Sequence, residues 1–141
     1  MPANTARKPR PPAPVSERSQ AGAGLRTFAR IAEQWSLAAS DAMALLGIES
    51  RSTYYELLKR ARETREVKGL NTDQLERLSY LLGIYESIRV LFPHNQETRD
   101  AWVTRPNSAT LFNGRQPIEI MRENMVGLYH TFLHLAAARG W

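Results

Sequence analysis

"ALLGIESRSTYYELLKRARE", residues 44–63, decides the fold. Apolar and small residues run up to Gly47, which can stop a helix by taking a left-handed backbone. Ile48 then supplies an apolar plug, and a second amphipathic stretch follows. Tyr54, Leu57, Leu58 and Ala61 recur at helical spacing and share one face. Helix, tight turn and second helix form the outline of a DNA-reading helix-turn-helix. Ala42 and Ala44 offer the small residue that lets the helices cross closely, and Ser50 or Ser52 can cap the second helix. The outward residues at its start are Ser50, Arg51, Ser52, Thr53 and Tyr55, with Lys59 one turn further on. Arg51 suits a guanine edge or a phosphate, and hydroxyls and Lys59 suit phosphates. Glu49 and Glu56 lie nearby and oppose phosphate binding.

Helical periodicity extends in both directions. Leu25, Phe28, Ala29, Ile31, Ala32 and Trp35 predict a first helix. Ser40 and Asp41 predict the N-cap of the helix ending at Leu46. "KGLN" at 68–71 breaks the pattern. A long helix follows from near Thr72, with Leu75, Leu78, Leu82, Tyr85 and Ile88 on one face, ending before Pro93. Asn95 caps a short helix ending near Thr104. "RPNSATLFNGRQP" at 105–117 reads as a loop with a turn at Asn113-Gly114, and Pro117 suits the first position of the next helix. Met125, Leu128, Tyr129, Phe132, Leu135 and Ala136 mark a final helix that Gly140 ends. The predicted fold is all-α: a helix-turn-helix bundle at 25–67 and a small helical domain at 68–141.

Residues 1–24 are rich in Pro, Ala and Arg and almost free of large apolar side chains. They predict a disordered basic tail. A mitochondrial presequence fits them less well, because the prolines oppose an amphipathic helix.

The net charge is +5 over 141 residues. Most of the excess sits in the tail, where Arg7, Lys8, Arg10 and Arg18 face Glu17 alone. Residues 40–66 balance five basic against five acidic side chains. The helix-turn-helix is therefore a modest DNA grip by itself, and a basic arm can add sequence-independent phosphate contacts.

The chain has no Cys, which excludes disulfides, thiolate zinc sites and a Cys nucleophile. It fits a reducing compartment and points to the cytoplasm. No apolar run approaches the ~18 residues of a membrane span. His130 and His134 are four apart and share a helix face, but "HTFLH" holds no Glu base and no third ligand is evident. No phosphate loop, nucleophile elbow or carboxylate pair is recognisable, so neither an enzyme nor a cofactor is expected.

From Leu70 the chain resembles the toxin-binding domain of the Xre/MbcA/ParS antitoxin family. The resemblance rests on "ERLSYLLGIYESIRVLF", on Ala101-Trp102, Pro106-Asn107, Leu111-Phe112 and Gly114-Arg115, and on Pro117 opening a helix. Family members place an Xre-like helix-turn-helix before this domain, as residues 40–66 do here. Two departures stand out. Gln116 occupies the place where many members have a capping Ser or Thr, and the loop from Asn107 to Gly114 is longer than usual.

The resemblance implies an antitoxin of the type II class that dimerises. It implies a RES-domain, NAD-consuming toxin as partner, whose active site the C-terminal segment covers. It further implies operator DNA as target in autorepression. Arg115, Arg139, Gly140 and Trp141 are the expected toxin-binding residues, Arg and Trp being common interface anchors. Trp141 either enters a cleft of the partner or folds back on the last helix. A stand-alone helix-turn-helix transcriptional regulator with a dimerisation domain is the alternative.

Overall fold

In the computed structural model, residues 17–64 and 66–141 are described, with side chains from Ser19 onward. Among them the chain is all-helical. The elements are α1 (Glu17–Gln34), α2 (Ala39–Leu46), α3 (Arg51–Thr64), α4 (Thr72–Leu91) and α5 (Gln96–Ala101). A 3₁₀ turn (Trp102–Thr104), α6 (Pro117–Met121) and α7 (Met125–Ala138) complete it. No described residue is in a strand, and no helix is long and apolar enough to cross a membrane.

Helix α1 starts at Glu17, eight residues before the expected Leu25. Residues 17–24 are thus helical, and the expectation of disorder there is corrected; residues 1–16 lie outside the described residues. The early start relies on small side chains. Ala21 is 3% exposed. A methyl group at Gly24 would lie 2.8 Å from Leu78 Cδ2, so α1 and α4 nearly touch there. A search for large apolar residues overlooks this, because close backbone packing stabilises the helix.

Helix α2 begins one residue before Ser40. Its N-cap is Ala38, which makes no side-chain cap, and Ser40 and Asp41 lie in the first turn. The chain enters from a turn in which Ser36 takes φ 55°, and Leu37 N donates to Ala32 O at 2.9 Å. That turn fixes the entry angle in place of a cap.

Helix α4 is the axis of the molecule. It packs against α1 and α2 on one side and α7 on the other. Its buried residues are Leu78, Leu81, Ile84, Ser87 and Ile88; Leu75, Leu82 and Tyr85 are only partly covered. The expected single stripe is therefore replaced by burial on opposing sides. The helix is launched by a capping box: Gln74 N donates to Asn71 Oδ1 at 2.8 Å, and Asn71 N to Gln74 Oε1 at 3.0 Å.

One hydrophobic cluster runs through the whole structure, from Leu25, Phe28 and Trp35 through Leu81 and Ile84 to Met121 and Leu128. Residues 68–71 break the helical chain but do not interrupt this core. Asn95 caps α5 through Thr98 N at 3.0 Å. Asn113 and Gly114 form the expected turn, with φ of 49° and 84°. Pro117 is the first residue of α6, and Gln116 N donates to Glu119 Oε2 at 2.8 Å. Glu119 thus supplies an N-terminal hydrogen bond where a capping hydroxyl is missing.

Candidate nucleic-acid interface and C-terminal surface

The turn between α2 and α3 is built from its backbone. Gly47 takes φ 69°, a conformation that costs other residues free energy. Gly47 N then donates to Ala44 O at 3.1 Å and Ile48 N to Met43 O at 2.9 Å, closing α2 in a Schellman motif. The reversal carries Ile48 into the core at 5% exposure. Of the two small residues in α2, Ala42 is buried and Ala44 only partly so.

Helix α3 therefore begins at the surface. Ser50 is its cap, its Oγ accepting from Thr53 N at 3.3 Å, and the Ser52 hydroxyl lies 3.0 Å from that of Ser50. Tyr54 turns inward at 5% exposure, and burial pushes its phenol pKa up, so it stays neutral. Tyr55 turns outward at 51% exposure. Ser50, Arg51, Ser52, Thr53, Tyr55 and Lys59 are all exposed on the first half of α3. Glu56 is paired with Arg60 at 2.8 Å, which reduces its repulsion of an approaching phosphate.

Residues not foreseen from the sequence brace this unit. Gln74 Nε2 donates to Gly47 O at 3.3 Å, and Arg77, held by Asp73 at 2.8 Å, lies against Gly47. On the other side of α2, Arg122 Nη1 donates to Asp41 Oδ1 at 2.8 Å. The start of α4 thus forms part of the support for the reading helix.

The C-terminal candidates occupy two places. Helix α7 ends in another Schellman motif: Trp141 N donates to Ala136 O at 3.1 Å and Gly140 N to Ala137 O at 3.0 Å, with Gly140 at φ 89°. Arg139 Nη1 donates to Ser87 Oγ at 3.2 Å, and its guanidinium carbon lies 4.5 Å from the centre of the Trp141 ring. Arg139 thus bridges a buried serine of α4 and an indole that stays 77% exposed.

Arg115 is elsewhere. It pairs with Glu123 at 2.7 Å, a bond that raises its already high pKa, and it shares no printed bond with Arg139 or Trp141. Asn107 accepts from Ala109 N at 2.9 Å and so holds its own turn. Trp102 is partly buried, with its ring edge-on to Phe112 at 5.7 Å. His134 packs between those rings, 6.5 Å from Trp102 and 5.3 Å from Phe112. No group of three potential metal ligands occurs among the described residues. Helix α7 also exposes Val126, Tyr129 and Leu133, whose spacing places them along one face.

Comparison with known families places this geometry. The Antitoxin Xre-like helix-turn-helix domain matches residues 14–83. The chain belongs to the Xre-like helix-turn-helix family. The Xre-like match begins before α1 and ends within α4, so it takes in the bracing residues Gln74 and Arg77 with the reading helix. A similar protein, "Uncharacterized protein y4oB" of Sinorhizobium fredii (strain NBRC 101917 / NGR234), is 37% identical over 128 residues. The alignment covers 90% of this chain and 92% of that one. The likeness therefore extends beyond the Xre-like domain into α5–α7.

Proposed function

We propose that the chain is the antitoxin of a type II toxin–antitoxin system. In this reading its C-terminal part neutralises a RES-domain, NAD-consuming toxin by covering the active site. The helix-turn-helix, in a homodimer, represses the operon that encodes both proteins. The observation that carries the reading is the Xre-like antitoxin domain match combined with an exposed start of α3. The toxin-facing half draws support from Trp141, an amphipathic anchor type left outside the core and oriented by Arg139. Residues 68–141 then form the toxin-binding domain, and Arg115 lies on a second contact region of the same part.

A stand-alone regulator with a dimerisation domain is the second reading. It draws on the exposed apolar face of α7, where Val126 is 59% and Leu133 42% exposed. Expression of the neighbouring reading frame separates the two. Under the antitoxin reading the neighbour alone stops growth and depletes NAD, and co-expression of this chain restores both. A harmless neighbour removes the antitoxin reading and leaves the regulator.

A further inference from the structure

A groove of about 730 Å³ lies between α1, the second half of α4 and α5. Three arginines line it, one from each helix: Arg30, Arg89 and Arg99. Glu86 is the one acidic residue in the lining, 4.0 Å from Arg89 with both side chains more than half exposed. Arg30 is exposed and forms no ion pair among the described residues. Arg99 is fixed differently. Its Nη1 donates to Phe92 O at 3.0 Å and to Pro93 O at 2.6 Å, and it also bonds Gln96 Oε1. Arg99 therefore shapes the wall, while Arg30 and Arg89 remain available to a ligand.

The groove also has apolar ground. Ile31 and Ile88 form its floor, and Val90 stands 48% exposed at its rim. It does not continue the DNA-reading surface. Gln74 touches the helix-turn-helix turn, and Arg89 lies fifteen residues further along the same helix. That separation is about 22 Å at the rise of an α-helix.

We infer that this groove is a docking site for an acidic peptide segment of a partner protein, one that carries apolar side chains among its carboxylates. Arg30 and Arg89 would take the carboxylates, as guanidinium groups pair with them through parallel hydrogen bonds. The apolar floor and rim would take the side chains between. A phosphodiester backbone would satisfy the arginines but has nothing to place on Ile31, Ile88 and Val90. The inference does not depend on the identity of any toxin.

The test uses the full chain and a short fluorescein-labelled peptide with leucines spaced among glutamates, read by anisotropy. Arg30→Gln with Arg89→Gln should weaken binding at least about tenfold, because two charge-assisted contacts are lost. Glu86→Gln should strengthen it. Replacing Arg7, Lys8 and Arg10 by Gln should change it by no more than about twofold, since a disordered arm offers only screened, non-specific attraction. The substituted groove residues are exposed, so thermal unfolding should stay unchanged and mark loss of binding as loss of the site. Unchanged peptide binding in the double variant overturns the proposal. So does loss confined to the tail variant. If the double variant instead loses random-sequence duplex DNA and keeps the peptide, the groove belongs to nucleic acid and the proposal fails.

Discussion

Trp141 and Arg51 are the side chains on which the proposed function turns. Trp141 is held by the guanidinium of Arg139 and by a backbone bond, yet most of its ring faces solvent. Both alternatives drawn from the sequence had merit: the residue after Gly140 does turn back, but the turn leaves the indole presented. Deleting Arg139 to Trp141 should restore NAD consumption by the toxin in a reconstituted complex, with little change in antitoxin stability; inhibition that survives the deletion removes the C-terminal mechanism. At the other site, Arg51→Ala with Thr53→Ala should weaken operator binding by about 1–3 kcal/mol per lost base contact. Toxin binding should be retained, measured on the same preparation. The identity of the exposed residues on α3 was legible because period and turn together fix which side chains point outward. The choice of Ser50 over Ser52 as cap was not, since either hydroxyl suits the position and only the register of the first turn decides.

At the scale of the element, what the sequence disclosed depended on how many neighbours a helix has. Helix α3 packs mainly on α1, so its buried residues fall on one readable stripe. Helix α4 is covered from opposing sides, and its pattern blurs into an apolar helix whose inward face cannot be chosen from spacing. The start of α1 was hidden for a different reason: alanine and glycine carry little hydrophobic signal but permit close approach. The same device joins α6 to α7. A methyl group on Gly127 would fall 2.1 Å from Ile120 O, a backbone atom with little room to retreat. Gly127→Ala should therefore destabilise the chain by about 1–3 kcal/mol or more, as overpacking does, read as a lowered urea midpoint. Asn71→Ala removes the cap of α4 and should cost about 1 kcal/mol. A Gly127→Ala variant as stable as the parent would mean that α6 and α7 are more loosely docked than their contact distance indicates.

For the whole molecule, the sequence suggested two parts with a joint near 67–71, and the residue numbers of that break hold. The core has another arrangement, with α4 supporting the helix-turn-helix through Gln74 and Arg77 and receiving α7 along its other side. The Asp41–Arg122 pair ties α2 to the end of α6, although at 26% and 43% exposure such a pair is worth little by itself. Shared burial is the stronger link. If α4 belongs to both parts, neither can lose its core alone, and unfolding must be one event. Trp35 reports on the first part and Trp102 on the second, so the protein carries its own probes. With Trp141 and one of the other two replaced by Phe, the remaining fluorescence should give the same urea midpoint for either probe, as two-state behaviour requires. Leu81→Ala, at a fully buried position of α4, should lower both midpoints together by the equivalent of about 2–5 kcal/mol. Separate midpoints, or a Leu81→Ala effect seen by Trp102 alone, would show that α4 serves one part only. The DNA-reading turn would then lose the rigid backing by which an event at α7 could reach it.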